Sequence, residues 1–350
     1  MTHPLKTRKF AVLLVLGLGI PALAAQTKPA EGYFTGSETG DVLAADLGAF
    51  GGAFASVGLN FLAMGILGSD GSYTQEDQML ASSMTALSAV PLFLSGSPDA
   101  LALSIAQAGV WGLEQAAGYG FGTYSIPANL LYWGKVDMTM YSAYDSYASL
   151  RLRSAAWENS SFRRHGFLEL MGAPFGPEFA TPQTMLAIGG GIASTLLFQV
   201  ASSSSPWSAS PFATGKAYLG GSETDPLSFA LATGAADILS GCYTGVGEEA
   251  VYRGFLHEEL KARVGTAWAT AIDTTAFLAM HLFTDMARGL RWDSIAVHLA
   301  FVAAGNLLFD SSYDAGGLRL AVSAHAWWDI AAFFVDAMLN GGAPEPVSGH

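Results

Sequence analysis

The sequence predicts an all-α membrane protein, a multipass bundle of roughly eight transmembrane helices. Three observations predict it. Half of the 350 residues are hydrophobic (51%) and only 13% are charged, with a mean hydropathy of +0.34. Apolar segments of bilayer-spanning length recur along the chain. Within them, stretches such as Thr184–Val200 lack the polar stripe that a soluble amphipathic helix carries. Glycine is abundant, with 41 residues, which suits helices packed closely in lipid.

The elements follow in order. Lys6, Arg8 and Lys9 precede the apolar run Phe10–Ile20, and Pro21 leads into Ala22-Leu23-Ala24. This is the pattern of a cleaved signal peptide over residues 1–24. Residues 26–41 read as a polar linker. Apolar helices are expected at 42–67, 79–95 and 99–118, with a weaker aromatic candidate at 121–135. Residues 151–165 carry Arg151, Arg153, Arg163, Arg164 and His165 and read as a cytoplasmic loop by the positive-inside bias. A helix at 184–201 follows, then a Ser-, Gly- and Pro-rich loop at 202–225. Further helices are expected at 226–243, 265–284, 294–309 and 318–339, with helical character over 246–262. Residues 25–180 therefore form an N-terminal membrane part with the basic loop, and 181–340 a C-terminal helical domain that holds the notable polar residues.

Composition excludes some functions. The net charge of −13 leaves no basic footprint for nucleic acid. Cys242 is the sole cysteine, so no intrachain disulfide forms; in its apolar setting it reads as a packed residue. Localisation is expected at the cell membrane, with membrane lipid around the bundle.

The chemistry concentrates in three places. The first is Glu248-Glu249-Ala250-Val251-Tyr252-Arg253. Charged groups at a bilayer centre cost roughly 2.5–3.5 kcal/mol each on insertion scales, so two adjacent carboxylates imply a partner or a task. Glu249 and Arg253 are spaced i,i+4 and share a helix face. Glu248 lies about 100° around the helix from Glu249, which leaves it free for other work. Positive charge flanks both ends of the 265–284 helix, and a spanning helix cannot have both ends in the cytoplasm. Either the 248–262 segment is partly buried, or Arg253 has a structural role. Glu258 and Glu259, beside Lys261 and Arg263, read as a solvated end.

The second place is Phe277-Leu278-Ala279-Met280-His281 and the third is His325-Ala326-Trp327-Trp328-Asp329, just after the break at Gly316-Gly317. A lone His on an apolar face is usually a packed core residue. Here a Glu pair, a His and a His/Asp pair fall on successive apolar helices, where ionisable groups face a bundle interior and pair with one another. Such a set suits water activation, with a buried carboxylate as general base and polar groups stabilising an oxyanion. No cofactor is required. The alternative is zinc held by His281, His325 and Glu248 with an open position for water. Glu114, Asp237 and Asp273 could line a cavity, but read first as helix caps or interface residues. His257 and His298 match no motif position.

The ordered set EExxxR, FxxxH and HxxxD resembles the CPBP family, the CAAX prenyl protease type 2, bacteriocin-processing and Abi-like group of intramembrane endopeptidases. The resemblance covers roughly residues 226–339, including the Gly-x-Leu-led approach to His325. It implies a glutamate-based hydrolase acting on a peptide or membrane-associated protein. In that picture Glu248 activates water with help from His281, Glu249 and Arg253 position the site, and His325 and Asp329 occupy the oxyanion-stabilising places. Asn is common where Asp329 stands. An ionised Asp repels an oxyanion, so Asp329 is either protonated or orients His325. Two other classes fit the fold: a non-catalytic immunity or scaffold protein, and a proton-coupled transporter. The inverted repeats of a transporter are not seen in the sequence.

Overall fold

A computed structural model describes residues 92–93, 95–121, 126–153, 162–202, 208–219, 222–287 and 290–342. The expected signal peptide and the helices at 42–67 and over most of 79–95 lie outside the described residues.

The described chain is mostly helical. Helix α1 (Ala100–Phe121) packs along α2 (Ile126–Arg153). A short α3 (Phe167–Gly172) leads through two 3-10 turns at 173–180 into α4 (Pro182–Ser202). Helix α5 (Pro211–Thr214) precedes a two-stranded antiparallel ribbon, β1 (Ala217–Leu219) and β2 (Ser222–Thr224), with Tyr218 opposite Glu223. The ribbon lies in the expected loop at 202–225, where no hydrophobic period marks it, and leaves the described chain mostly helical. Helix α6 (Pro226–Val251) follows, started by Asp225, whose Oδ1 accepts from the Leu227 and Ser228 backbone N–H groups, with Pro226 in the first turn. The chain continues through a π-helical segment (Tyr252–His257) into α7 (Glu258–Val264). Helices α8 (Thr266–Ala287) and α9 (Trp292–Asn340) complete it.

The sequence separates 294–309 from 318–339; the structure joins them in one run, broken by non-helical backbone at Gly317. Its φ of 74° lies in the left-handed region that side-chained residues avoid. The break matters because a 49-residue run is about 74 Å long at 1.5 Å per residue, more than twice a bilayer's hydrocarbon core.

Helix α6 is central, packed against α2 on one side and α9 on the other. Gly241 and Gly245, a G-x-x-x-G pair, allow the α9 approach. A methyl on Gly241 would lie 2.9 Å from the Ala326 carbonyl oxygen, and one on Gly245 3.0 Å from the Ala326 nitrogen. Gly247 performs the same service for α2, since a methyl there would lie 2.7 Å from the Asp137 Cα. Small residues at such crossings let backbones meet where hydrophobic burial contributes little.

Among the described residues, two helices are long and apolar enough to cross a membrane, Pro182–Ala201 and Trp292–Asn340. Large apolar side chains stand exposed on them, among them Leu186, Leu197, Leu307, Phe333 and Phe334, the signature of a surface meant for a non-aqueous neighbour.

Two polar expectations change. Arg151 lies inside α2 and is buried, its Nη1 donating to the Tyr147 hydroxyl at 2.7 Å and its Nη2 to Glu258 Oε1 at 3.3 Å. It does not belong to a solvated basic loop. Glu259 is buried as well, accepting from the Tyr147 hydroxyl at 2.6 Å and from Arg263 Nε at 2.8 Å; the solvated-end reading fails because α2 covers that face. Cys242 is buried and free, as expected.

Candidate active site

The site forms where α6, its π-helical continuation, α8 and the two halves of α9 meet. Glu249 and Arg253 are fully buried. Arg253 Nη1 donates to Glu249 Oε1 at 3.0 Å, closing the i,i+4 pair that the spacing predicts. The rest of the guanidinium is also engaged. Its Nε donates to Asp310 Oδ1 at 2.9 Å, and its Nη2 to the Asn306 carbonyl at 3.0 Å and Asn306 Oδ1 at 2.5 Å. The rings of Phe277 and Phe309 lie 5.3 and 5.6 Å from it, within cation–π range. Arg253 is thus a structural charge, and positive-inside counting must omit it.

The same Glu249 oxygen meets His325, whose Nδ1 lies 2.7 Å away. A carboxylate at that distance requires a proton on Nδ1, so His325 donates there. The ring is further fixed by stacking on Phe309, centroids 4.3 Å apart and planes 12° from parallel. With Nδ1 committed, Nε2 is the working nitrogen. It stands 3.8 Å from Glu248 Oε2 and 3.5 Å from Asp329 Oδ2. These gaps exceed direct hydrogen bonds and suit a bridging water. Glu248 Oε2 is buried and has no hydrogen-bond partner. A group in that state is expensive unless it has a function.

Five of the six expected site residues therefore converge: Glu248, Glu249, Arg253, His325 and Asp329. Glu249, through Nδ1, orients His325, which removes that duty from Asp329. His281 sits across an aromatic ring: Phe277 packs on it at 4.6 Å and on His325 at 6.0 Å. Its Nδ1 lies 3.1 Å from the Phe277 carbonyl. The zinc set of His281, His325 and Glu248 is not gathered into one cluster of donors within 4.8 Å among the described residues.

Several participants carry no motif signal. Asn306 and Asp310 sit i,i+4 in the apolar run of α9, and Asn306 Nδ2 donates to Thr274 Oγ1 at 2.8 Å. Those two polar residues in a hydrophobic segment were the available clue. Asp273 is not a cap: it is fully buried where α8 meets the π-helical segment, with Oδ2 3.6 Å from Arg253 Nε. His298 faces His281, rings 5.9 Å apart, and its Nδ1 lies 2.7 Å from Asp285 Oδ2. Asp137 comes from α2, with its carboxyl in electrostatic reach of Glu248, Asp329 and His325. Nothing local in the sequence marks it.

The geometry agrees with a comparison of sequences. Residues 232–331 match the model of the type II CAAX prenyl endopeptidase Rce1-like family. The similarity is confined to this segment. The segment contains Glu248, Glu249, Arg253, His281, His325 and Asp329 and ends shortly after the last of them. Searches of curated proteins and of solved structures each found no match. The matched segment thus runs from within α6 to the last third of α9, while Asp137 joins the site from outside it.

Proposed function

We propose that the protein is an intramembrane endopeptidase of multipass topology, hydrolysing a peptide bond in a protein substrate in or near the membrane. The observation that carries the reading is the unpartnered, buried Glu248 Oε2 facing a histidine whose other nitrogen is fixed by Glu249. A water between Glu248 and His325 Nε2 has an acceptor on one side and an orienting nitrogen on the other. Glu248 takes one proton as the oxygen attacks the substrate carbonyl carbon. The C–N bond then breaks, and Glu248 returns the proton to the leaving amine. Donors at His325 Nε2 and at a protonated Asp329 stabilise the oxyanion. Arg253 and Glu249 hold the imidazole in place, and His281, behind Phe277, assists from the edge of the site.

The test compares the proteomes of membranes carrying wild type or Glu248→Gln. A fragment that appears with wild type and not with Glu248→Gln identifies the substrate. If Glu248→Gln retains the full biological effect of wild type, the hydrolase reading fails and a scaffold role replaces it.

A further inference from the structure

One cluster of ionisable side chains takes no part in that reaction. His257 stands on the π-helical segment, Asp273 on α8 and Asp310 on α9. All three are buried, His257 and Asp273 completely. His257 Nδ1 lies 3.7 Å from Asp273 Oδ2 and 3.6 Å from Asp310 Oδ1. One donor atom from each residue falls within 4.8 Å of the other two.

These separations are too long for hydrogen bonds, which run about 2.7–3.2 Å between nitrogen and oxygen. Both nitrogens of His257 lack hydrogen-bond partners, and the Asp273 carboxyl has only the facing Asp310 carboxyl and the longer Arg253 contact. Leaving the two buried imidazole nitrogens in that state would cost roughly 1–3 kcal/mol each. The distances do suit ligands around one ion. Metal–ligand bonds of about 2.0–2.2 Å set adjacent tetrahedral ligands roughly 3.4 Å apart.

Charge points the same way. Arg253 is shared by three carboxyl groups, Glu249, Asp273 and Asp310, more acid than one guanidinium balances when all are ionised. His325 serves the other side, between Glu249, Glu248 and Asp329. A divalent cation beside His257 takes the place of protons on Asp273 and Asp310 and balances the three ionised carboxylates together with Arg253. Asp310 Oδ1 accepts from Arg253 Nε, the outer-shell hydrogen bond that typically orients a ligating carboxylate. An imidazole with two carboxylates selects first-row transition ions, zinc foremost, over calcium or magnesium, which take all-oxygen shells.

We propose that His257, Asp273 and Asp310 bind a divalent transition-metal ion that ties the π-helical segment to α8 and α9 behind the Glu249–Arg253 pair. The ion is structural: its ligands come from three elements, and burial closes it from substrate.

The full chain is purified in detergent micelles and its metal content measured by mass spectrometry. Wild type is expected to hold about one zinc or similar ion per chain, and His257→Ala and Asp273→Asn close to none. Glu248→Gln and His325→Ala are expected to keep the ion. Cobalt(II) added to chelator-treated wild type should give visible d–d absorption that saturates near one equivalent. His257→Ala should lack it. Should that variant fail to fold, the near-isosteric Asp273→Asn and the wild-type cobalt titration give the answer. The proposal is overturned if folded wild type holds no metal and takes up no cobalt. It is also overturned if Asp273→Asn binds as wild type does, or if metal leaves with Glu248→Gln or His325→Ala and stays in Asp273→Asn. None of these readouts depends on proteolysis.

Discussion

His325 illustrates how a single side chain acquires a role from its neighbours. Its Nδ1 is spent on Glu249, so its chemistry is confined to Nε2. Glu249→Gln removes the carboxylate that fixes the tautomer. In a comparable His-orienting role the loss of the carboxylate costs roughly 10⁴-fold in kcat; a fall of at least 100-fold in peptide cleavage, with KM little changed, is expected from a kinetic assay on the purified protein. Arg253→Lys tests the structural charge. An ammonium cannot reproduce a fork that reaches Glu249, Asp310 and Asn306 together, and breaking a buried ion pair costs about 3–5 kcal/mol. Thermal unfolding in detergent should show a clear drop in Tm for Arg253→Lys, and an unchanged Tm would sink the structural assignment. Asp137 is a further carboxyl close to Glu248. Asp137→Asn removes a titratable carboxyl beside Glu248, and a displaced pH profile of cleavage with the fold intact is the expected result.

Glycine crossings and charged clamps set the geometry at the scale of the elements. A methyl on Gly247 meets the α2 backbone at Asp137, and backbone cannot swing aside as a long side chain does. Gly247→Ala is therefore expected to destabilise by about 1–3 kcal/mol and to reduce cleavage, because it separates α2 from α6 at Glu248. A second clamp ties α9 to the turns that precede α4. Arg319 donates to Glu178 through Nε at 2.7 Å and Nη2 at 3.1 Å, pinning the 173–180 turns to α9. The guanidinium holds the Glu178 carboxyl below its ordinary value of 4.5. A carboxyl depressed on folding contributes stability above its unfolded value, and that contribution fades as pH falls through the folded value. Amide exchange in 173–180 should therefore quicken as pH drops below about 4.5 relative to Glu178→Gln, after correction for intrinsic rates.

The exposed apolar side chains of α4 and α9 and the CPBP match agree on a membrane setting for the molecule as a whole. Ile192, in the middle of α4, is exposed. Ile192→Arg should cost about 2.5–3.5 kcal/mol of insertion and shift the protein out of the carbonate-resistant membrane fraction.

Local spacing was enough to pair Glu249 with Arg253. Glu249 and Arg253 share a face because 3.6 residues make a turn, and the backbone alone enforces that. The apolar runs and the break at Gly317 were legible for the same reason: hydrophobic length and a residue without Cβ act locally. Which nitrogen of His325 works was not legible, because it depends on Glu249, which lies 76 residues away in sequence. The burial of Glu259 under α2, the arrival of Asp137, the three-carboxylate surround of Arg253 and the His257 cluster were equally hidden. Each arises from helices brought together by glycine-lined crossings, and pairings across such distances leave no periodic mark in one sequence. By itself the sequence determined helices, their motifs and a family resemblance. The tertiary structure decided which charges meet, because buried charges must find partners wherever packing places them.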